Sequence, residues 1–115
     1  MVYVCRLHVR SGVEGAANDG GDPEDRLPIN KWTHVAVSHT AGNFKVYIQG
    51  ELRLTRTDVK APLLNDGPLW ACFRTSTPAD AELTDVRVYP KVLSVDDVKA
   101  VQQEKAYEQF AGKEQ

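Results

Sequence analysis

Cysteine is scarce in this 115-residue chain, where Cys5 and Cys72 are the only two. Both fall mid-strand and could meet across sheets, but a pair of buried free thiols is the favoured expectation, in keeping with a reducing compartment. An excess of either charge is also lacking. The 14 Lys and Arg residues against 16 Asp and Glu leave a net charge of −2, so no global field draws the chain to nucleic acid or to an anionic membrane. Long apolar runs are missing too. Met1 leads directly into "VYVCRLHVR", where Arg6, His8 and Arg10 interrupt any signal-like stretch, and nothing approaches the roughly 20 apolar residues of a membrane span. If Met1 is the native start, the protein is expected to be intracellular. No internal repeat is present, and the length allows one domain with one core.

What is present is alternation. Tyr3 to Arg10 reads as a strand, with Tyr3, Cys5, Leu7 and Val9 on one face and Arg6, His8 and Arg10 on the other. The segment "SGVEGAANDGGDPEDR", Ser11 to Arg26, has no period and collects Gly, Asn, Asp and Pro, which predicts a long surface loop. In "KWTHVAVSHTAGNFKVYIQGELRL", the chain alternates, turns at Ala41-Gly42-Asn43, alternates again, and turns at Gln49-Gly50-Glu51. That predicts a meander of strands over Trp32 to Thr40, Phe44 to Gln49 and Leu52 to Thr57, with Phe44, Val46, Ile48, Leu52 and Leu54 directed inward. Two further strands are predicted, a short one from Leu69 to Arg74 and another from Leu83 to Tyr89, where Val86 and Val88 share a face and Pro90 ends the run. Ser94-Val95-Asp96-Asp97 has the chemistry of a helix start: Ser94 can accept from the Asp97 amide, and the carboxylates sit at the positive end of the helix dipole. Val95, Val98 and Val101 form the packing stripe of that helix.

Two of these segments together carry a family resemblance. The first, "NKWTHVAVSHTAGNFKVYIQGELRL", resembles the W-x-H-V-A strand, turn and Y-V-x-G strand of laminin G-like domains in the concanavalin A-like lectin/glucanase superfamily. The second, "LTDVRVYPKVLSVDDVKAV", is similar to the way such domains end, with a strand of the form I-D-E-V-R-I-Y, a turn, L-S and a short helix. Trp32, His34, Val35, Ala36, Tyr47, Gly50, Val86, Arg87, Tyr89, Leu93 and Ser94 carry the match, although Thr84 stands where the pattern has Asp. The resemblance covers the C-terminal two thirds of the chain. It implies an all-β fold, a concanavalin A-like jelly-roll sandwich, here followed by a C-terminal α-helix. The domain is expected over residues 1–103, with 104–115 a helical tail. Fewer strands are legible than the roughly eight of a simple jelly roll, so the sandwich is expected to be incomplete, with an unpaired edge open to a partner strand or a second copy.

The glucanases of this superfamily use two carboxylates on one strand face, about 5–5.5 Å apart in the retaining case. Here Glu82 and Asp85 are predicted to point to opposite faces, no E-x-D-x-x-E pattern occurs, and no enzyme is expected. His34 belongs to the W-x-H pattern and looks structural, while His34 and His39 are predicted on opposite faces, so a histidine metal site with His8 is not favoured. Calcium is the one candidate cofactor. Its ligands would be Asn18, Asp19, Asp22 and Asp25, with Glu24 alongside, in a Gly-rich loop whose plainer meaning is solvated acidic surface. Arg6, His8 and Arg10, with Arg53 and Arg56 on nearby strands, form either a basic patch for a sulfated or phosphorylated group or an ordinary solvated sheet face. Trp32 and Trp70 are more readily core than sugar platforms. Tyr107 and Phe110 in the tail could cover the sandwich itself or dock on another protein. The expectation is therefore a non-catalytic recognition or scaffolding module that binds another protein chain, or its own copy, through an edge strand and the C-terminal helix. The contacts expected are Tyr107, Phe110, Arg6, His8 and Arg10. A lectin-like domain binding a glycan, with or without calcium, is the alternative.

Overall fold

The computed structural model describes residues 6–64 and 82–104. Its strands lie in two antiparallel sheets. The hairpin of β1 (Val9–Val13) and β2 (Ala16–Gly21) forms one, and the meander β3 (Val35–Thr40), β4 (Asn43–Ile48) and β5 (Glu51–Arg56) forms the other, in that order. A helix, α1 (Val95–Gln103), follows near the C-terminal end. The fold is the all-β, incomplete jelly-roll arrangement anticipated above.

The meander forms where the alternation placed it. Phe44 and Val46 are fully buried, and with Val59 they make the core cluster, against which Leu7, Val9 of β1 and Leu54 of β5 pack. Burying a side chain of this size contributes about 1.5–3 kcal/mol, so this cluster is what joins the two sheets. On the opposite face of β4, Tyr47 is also buried. That face is not left to water, because Tyr47 shares a cavity wall with Val98 and Val101 of α1. Ile48 is only half-buried, at the end of its strand.

Leu52 departs from the expected inward set and is exposed. The register explains it: Val46 pairs with Leu54 but Tyr47 pairs with Leu52, with an irregularity between them. The bulge at Arg53 puts the two leucines on different faces, so Leu54 joins the core and Leu52 does not.

Two other segments correct the sequence reading. Ser11 to Arg26 is not one long loop, because β1 runs on to Val13 and β2 returns alongside it, turning where Gly15 adopts φ 80. The small and polar residues of β2 hid it. Its stability comes from the main-chain ladder and from Asp19, not from buried apolar side chains. Conversely, Leu83 to Tyr89 forms no strand, and Val86 and Val88 are exposed. Asp85 takes φ 54 there, a left-handed turn that breaks the extended run, and Arg87 folds back onto it. The expected strand from Leu69 to Arg74 lies outside the described residues.

The helix start is as the sequence indicated. The Asp97 amide donates to Ser94 Oγ at 3.1 Å and the Ser94 amide donates to the Asp97 carboxylate at 3.2 Å, a reciprocal capping box. Val98 is buried, Val101 half-buried and Val95 partly exposed. The helix sits against the β4–β5 turn, where Gly50 has φ 79 and a Cβ would lie 3.4 Å from Lys99 Cγ. Glycine serves both the turn and the close approach.

Candidate functional site

The strand expected from Tyr3 to Arg10 starts only at Val9 among the described residues, so Arg6 and His8 precede β1. Leu7 and Val9 are half-buried, and Arg6, His8 and Arg10 are exposed. They do not form an open cationic patch. Arg10 donates from Nη1 and Nη2 to the two oxygens of Asp22 at 2.7 and 3.2 Å, and His8 Nδ1 lies 3.1 Å from the same carboxylate. Arg6 stands in an isolated antiparallel bridge with Arg26 and has no ion pair among the described residues.

The acidic residues face arginines in the same way. Asp19 accepts from Arg56 at 2.7 Å, Arg56 also grips Asp58, and Asp25 pairs with Arg53. Each arginine hydrogen bond holds its Asp19, Asp22 or Asp25 carboxyl below the ordinary carboxylate range. Asn18 is exposed on β2. Among the described residues, no group of three or more His, Cys, Asp or Glu side chains is gathered as a metal would require. The structure thus uses these carboxylates to tie the β1–β2 hairpin and the loop after it to β5. Tyr107, Phe110, Trp70, Cys5 and Cys72 lie outside the described residues.

The histidines are placed apart. His39 bridges the sheets, with Nε2 donating to the Lys60 carbonyl at 2.9 Å, Nδ1 3.0 Å from Ser11 Oγ, and its ring edge-on to Phe44. His34 projects from the other face of β3. Burial pushes its pKa down, with nearby Arg87 adding to the effect.

The feature that sequence reasoning did not locate is beside β3. A cavity of about 1070 Å³ has walls from Ala36 and Val37 on both faces of that strand, from Leu83 and Val88, and from Val98 of α1. Thr33 Oγ1, His34 Nδ1 and Ser38 Oγ are buried on this side without a hydrogen-bond partner among the described residues. Such atoms each cost about 1–3 kcal/mol if left unmet. The signal was the W-x-H-V-A stretch itself, but nothing in its alternation told which edge of the sheet would stay open. At the rim, Arg87 pairs with Asp85 at 2.8 Å and with Glu104 at 2.9 Å.

Two antiparallel sheets closed over a shared core, with an acid–base seam on one hairpin and a capped helix under the meander, define the class of jelly-roll β-sandwich domains. The chain belongs to the concanavalin A-like lectin/glucanases superfamily, whose laminin G-type family model matches residues 5–99. It is similar in fold to the crystal structure of an S-layer domain-containing protein from Clostridium thermocellum, with a TM-score of 0.58 and 21% identity over 70% of this chain and 43% of that one. The chain thus spans less than half of that structure's length. No curated protein matches it.

Proposed function

We propose that this domain is a non-catalytic recognition or scaffolding module that binds another protein chain within a larger assembly. The observation that carries it is where the apolar surface lies. Leu64, Leu83, Val86 and Val88 are 93%, 61%, 62% and 87% exposed, and all four line the cavity beside β3. Elsewhere, Arg10, Arg53 and Arg56 are held by Asp22, Asp25 and Asp19. Apolar side chains gathered on one side of a small domain favour a protein partner over solvent. The S-layer domain in the name of the structural relative is in keeping with a scaffolding role. Asp85, one of the two carboxylates weighed for catalysis, is held by Arg87 through two hydrogen bonds, which supports a non-catalytic role. Superfamily membership favours a second role, a lectin-like domain that binds glycan at its loops.

The test offers the immobilised chain a displayed library of random peptides and, in parallel, a glycan array with and without calcium. Enrichment of a shared peptide sequence is the expected result. Glycan binding with no peptide enriched would overturn the protein-recognition role in favour of the lectin.

A further inference from the structure

The register of β3 fixes which of its main-chain groups are committed. Gln49 donates its amide to the His34 carbonyl, and Ala36, Ser38 and Thr40 stand opposite Tyr47, Lys45 and Asn43. In an antiparallel ladder the hydrogen-bonded pairs alternate with non-bonded ones. The pairs that share the phase of His34 and Gln49 are therefore those of Ala36, Ser38 and Thr40. The amides and carbonyls of Val35, Val37 and His39 point the other way, along an edge that no strand covers among the described residues.

The two edges of this sheet are treated differently. β5 carries a bulge, and Arg53 and Arg56 reach from it to Asp25 and Asp19, so it is both twisted and covered. β3 has no Lys, Arg, Asp, Glu or Pro and no irregularity in its pairing with β4. Charges, prolines and bulges are the devices that keep an edge from pairing, and β3 has none of them. Its open side looks into the cavity, whose walls include residues from both of its faces.

We propose that β3 takes up one extended, uncharged segment of a partner protein as an added strand, seated in the cavity between β3 and residues 82–93. This assignment rests on the recognition role proposed above and names its partner chemistry. An extended backbone supplies donors and acceptors at the spacing that Val35, Val37 and His39 demand. On one face its side chains lie beside Val35 and Val37, 36% and 48% exposed, where β-branched apolar residues pack. On the other face they meet Ala36 and the unpartnered Ser38 and His34, where Thr or Ser side chains supply the missing hydrogen bonds. An uncharged segment is favoured, because the walls are mainly apolar and Arg87 is already held by Asp85 and Glu104, which leaves Lys91 as the one other Lys or Arg among the described lining residues.

The probe is a capped peptide of alternating Thr and Val, titrated into the full chain while amide hydrogen exchange is followed residue by residue. At saturation, the amides of Val35, Val37 and His39 are expected to slow by up to about tenfold, the factor that corresponds to a hydrogen bond worth about 1.4 kcal/mol against opening. The same peptide N-methylated at alternate residues is expected to leave them unchanged. Val37→Pro removes an outward amide and leaves the ladder to β4 intact, and it should abolish the effect. Because that variant could perturb folding, the methylated peptide gives the same contrast on the unaltered protein. Protection of these amides before peptide is added would show the edge already closed by the chain itself and overturn the proposal. Protection that grows with protein concentration alone would make the occupant a second copy and overturn it likewise. Peptide binding that protects α1 or the loops instead would defeat the β3 assignment while leaving protein recognition standing. Failure of every library peptide to bind would defeat the recognition role itself.

Discussion

Gln49 and His34 are joined twice. The Gln49 amide donates to the His34 carbonyl at 2.9 Å, and the Gln49 side-chain Oε1 accepts from the His34 amide at 2.9 Å. The pair closes the far end of the β3–β4 ladder and sets its phase, which is why Val35, Val37 and His39 face outward. Gln49 does this with φ 54, a conformation that side-chain-bearing residues adopt at a cost.

Gln49→Ala should therefore destabilise the domain by about 1 kcal/mol, through loss of the acceptor on the His34 amide. Gln49→Gly should cost less, because glycine relaxes the positive φ and offsets part of the loss. Urea unfolding midpoints of the two variants check the order.

Gly20 and Gly21 are neighbours with opposite expectations. At Gly20, with φ 151, a Cβ would lie 2.1 Å from the Val9 carbonyl oxygen, which is main chain and cannot move without breaking the β1–β2 ladder. At Gly21 a Cβ would meet Leu54 Cδ2 at 2.5 Å, the end of a flexible side chain. Gly20→Ala should cost about 2 kcal/mol or more and Gly21→Ala clearly less, measured by thermal and urea melts.

Acid should lower the stability of the domain through two pH windows. His34 is held neutral by burial, so its folded pKa lies below 6.5 and the unfolded chain binds the extra proton first. Stability then falls as pH drops from about 6.5 towards the folded value. Asp19, Asp22, Asp25 and Asp58 have depressed folded pKa values. Their contribution is present above about pH 4 and is lost as pH falls through those depressed values. Tm measured from about pH 8 to pH 3 should show both windows, and His34→Gln should erase the upper one only.

Calcium is expected to change little while the arginines hold the carboxylates. At about 1 mM, near the affinity of weak extracellular sites, it should leave the Tm of the wild type unchanged. A clear rise in Tm, retained in Arg10→Ala but lost in Asp19→Asn and Asp25→Asn, would instead identify those carboxylates as ligands.

Ser94→Ala should cost about 1 kcal/mol by leaving the Asp97 amide without its acceptor. Hydrogen exchange of the first turn of α1 should quicken more than that of β4.

Much of the architecture was legible because it was written in local chemistry. Phe44 and Val46 alternate with polar residues, Gly42 and Gly50 mark turns that need positive φ, and Ser94 with Asp97 makes a cap from residues three apart. The candidate site was less legible. Arg10, Arg53 and Arg56 were seen as cations and Asp19, Asp22 and Asp25 as anions, but their neutralisation joins residues distant in sequence, such as Asp19 and Arg56 at 2.7 Å. Arg10, Arg53 and Arg56 on one side and Asp22, Asp25 and Asp19 on the other form one seam, with Arg6 outside it.

By itself, then, the sequence determined the meander, the capped helix and the superfamily, since periodicity, turn residues and capping act over a few neighbours. Tertiary structure alone decided that β2 pairs with β1 despite its small polar residues, that a bulge at Arg53 sends Leu52 out and Leu54 in, and that Asp85 breaks the run from Leu83 to Tyr89. It also decided that the β5 edge carries a bulge and ion pairs while β3 has neither. The physical reason is the same in each case: main-chain pairing and ion pairs between distant segments depend on where the backbone brings them, and a two-residue alternation carries no record of that.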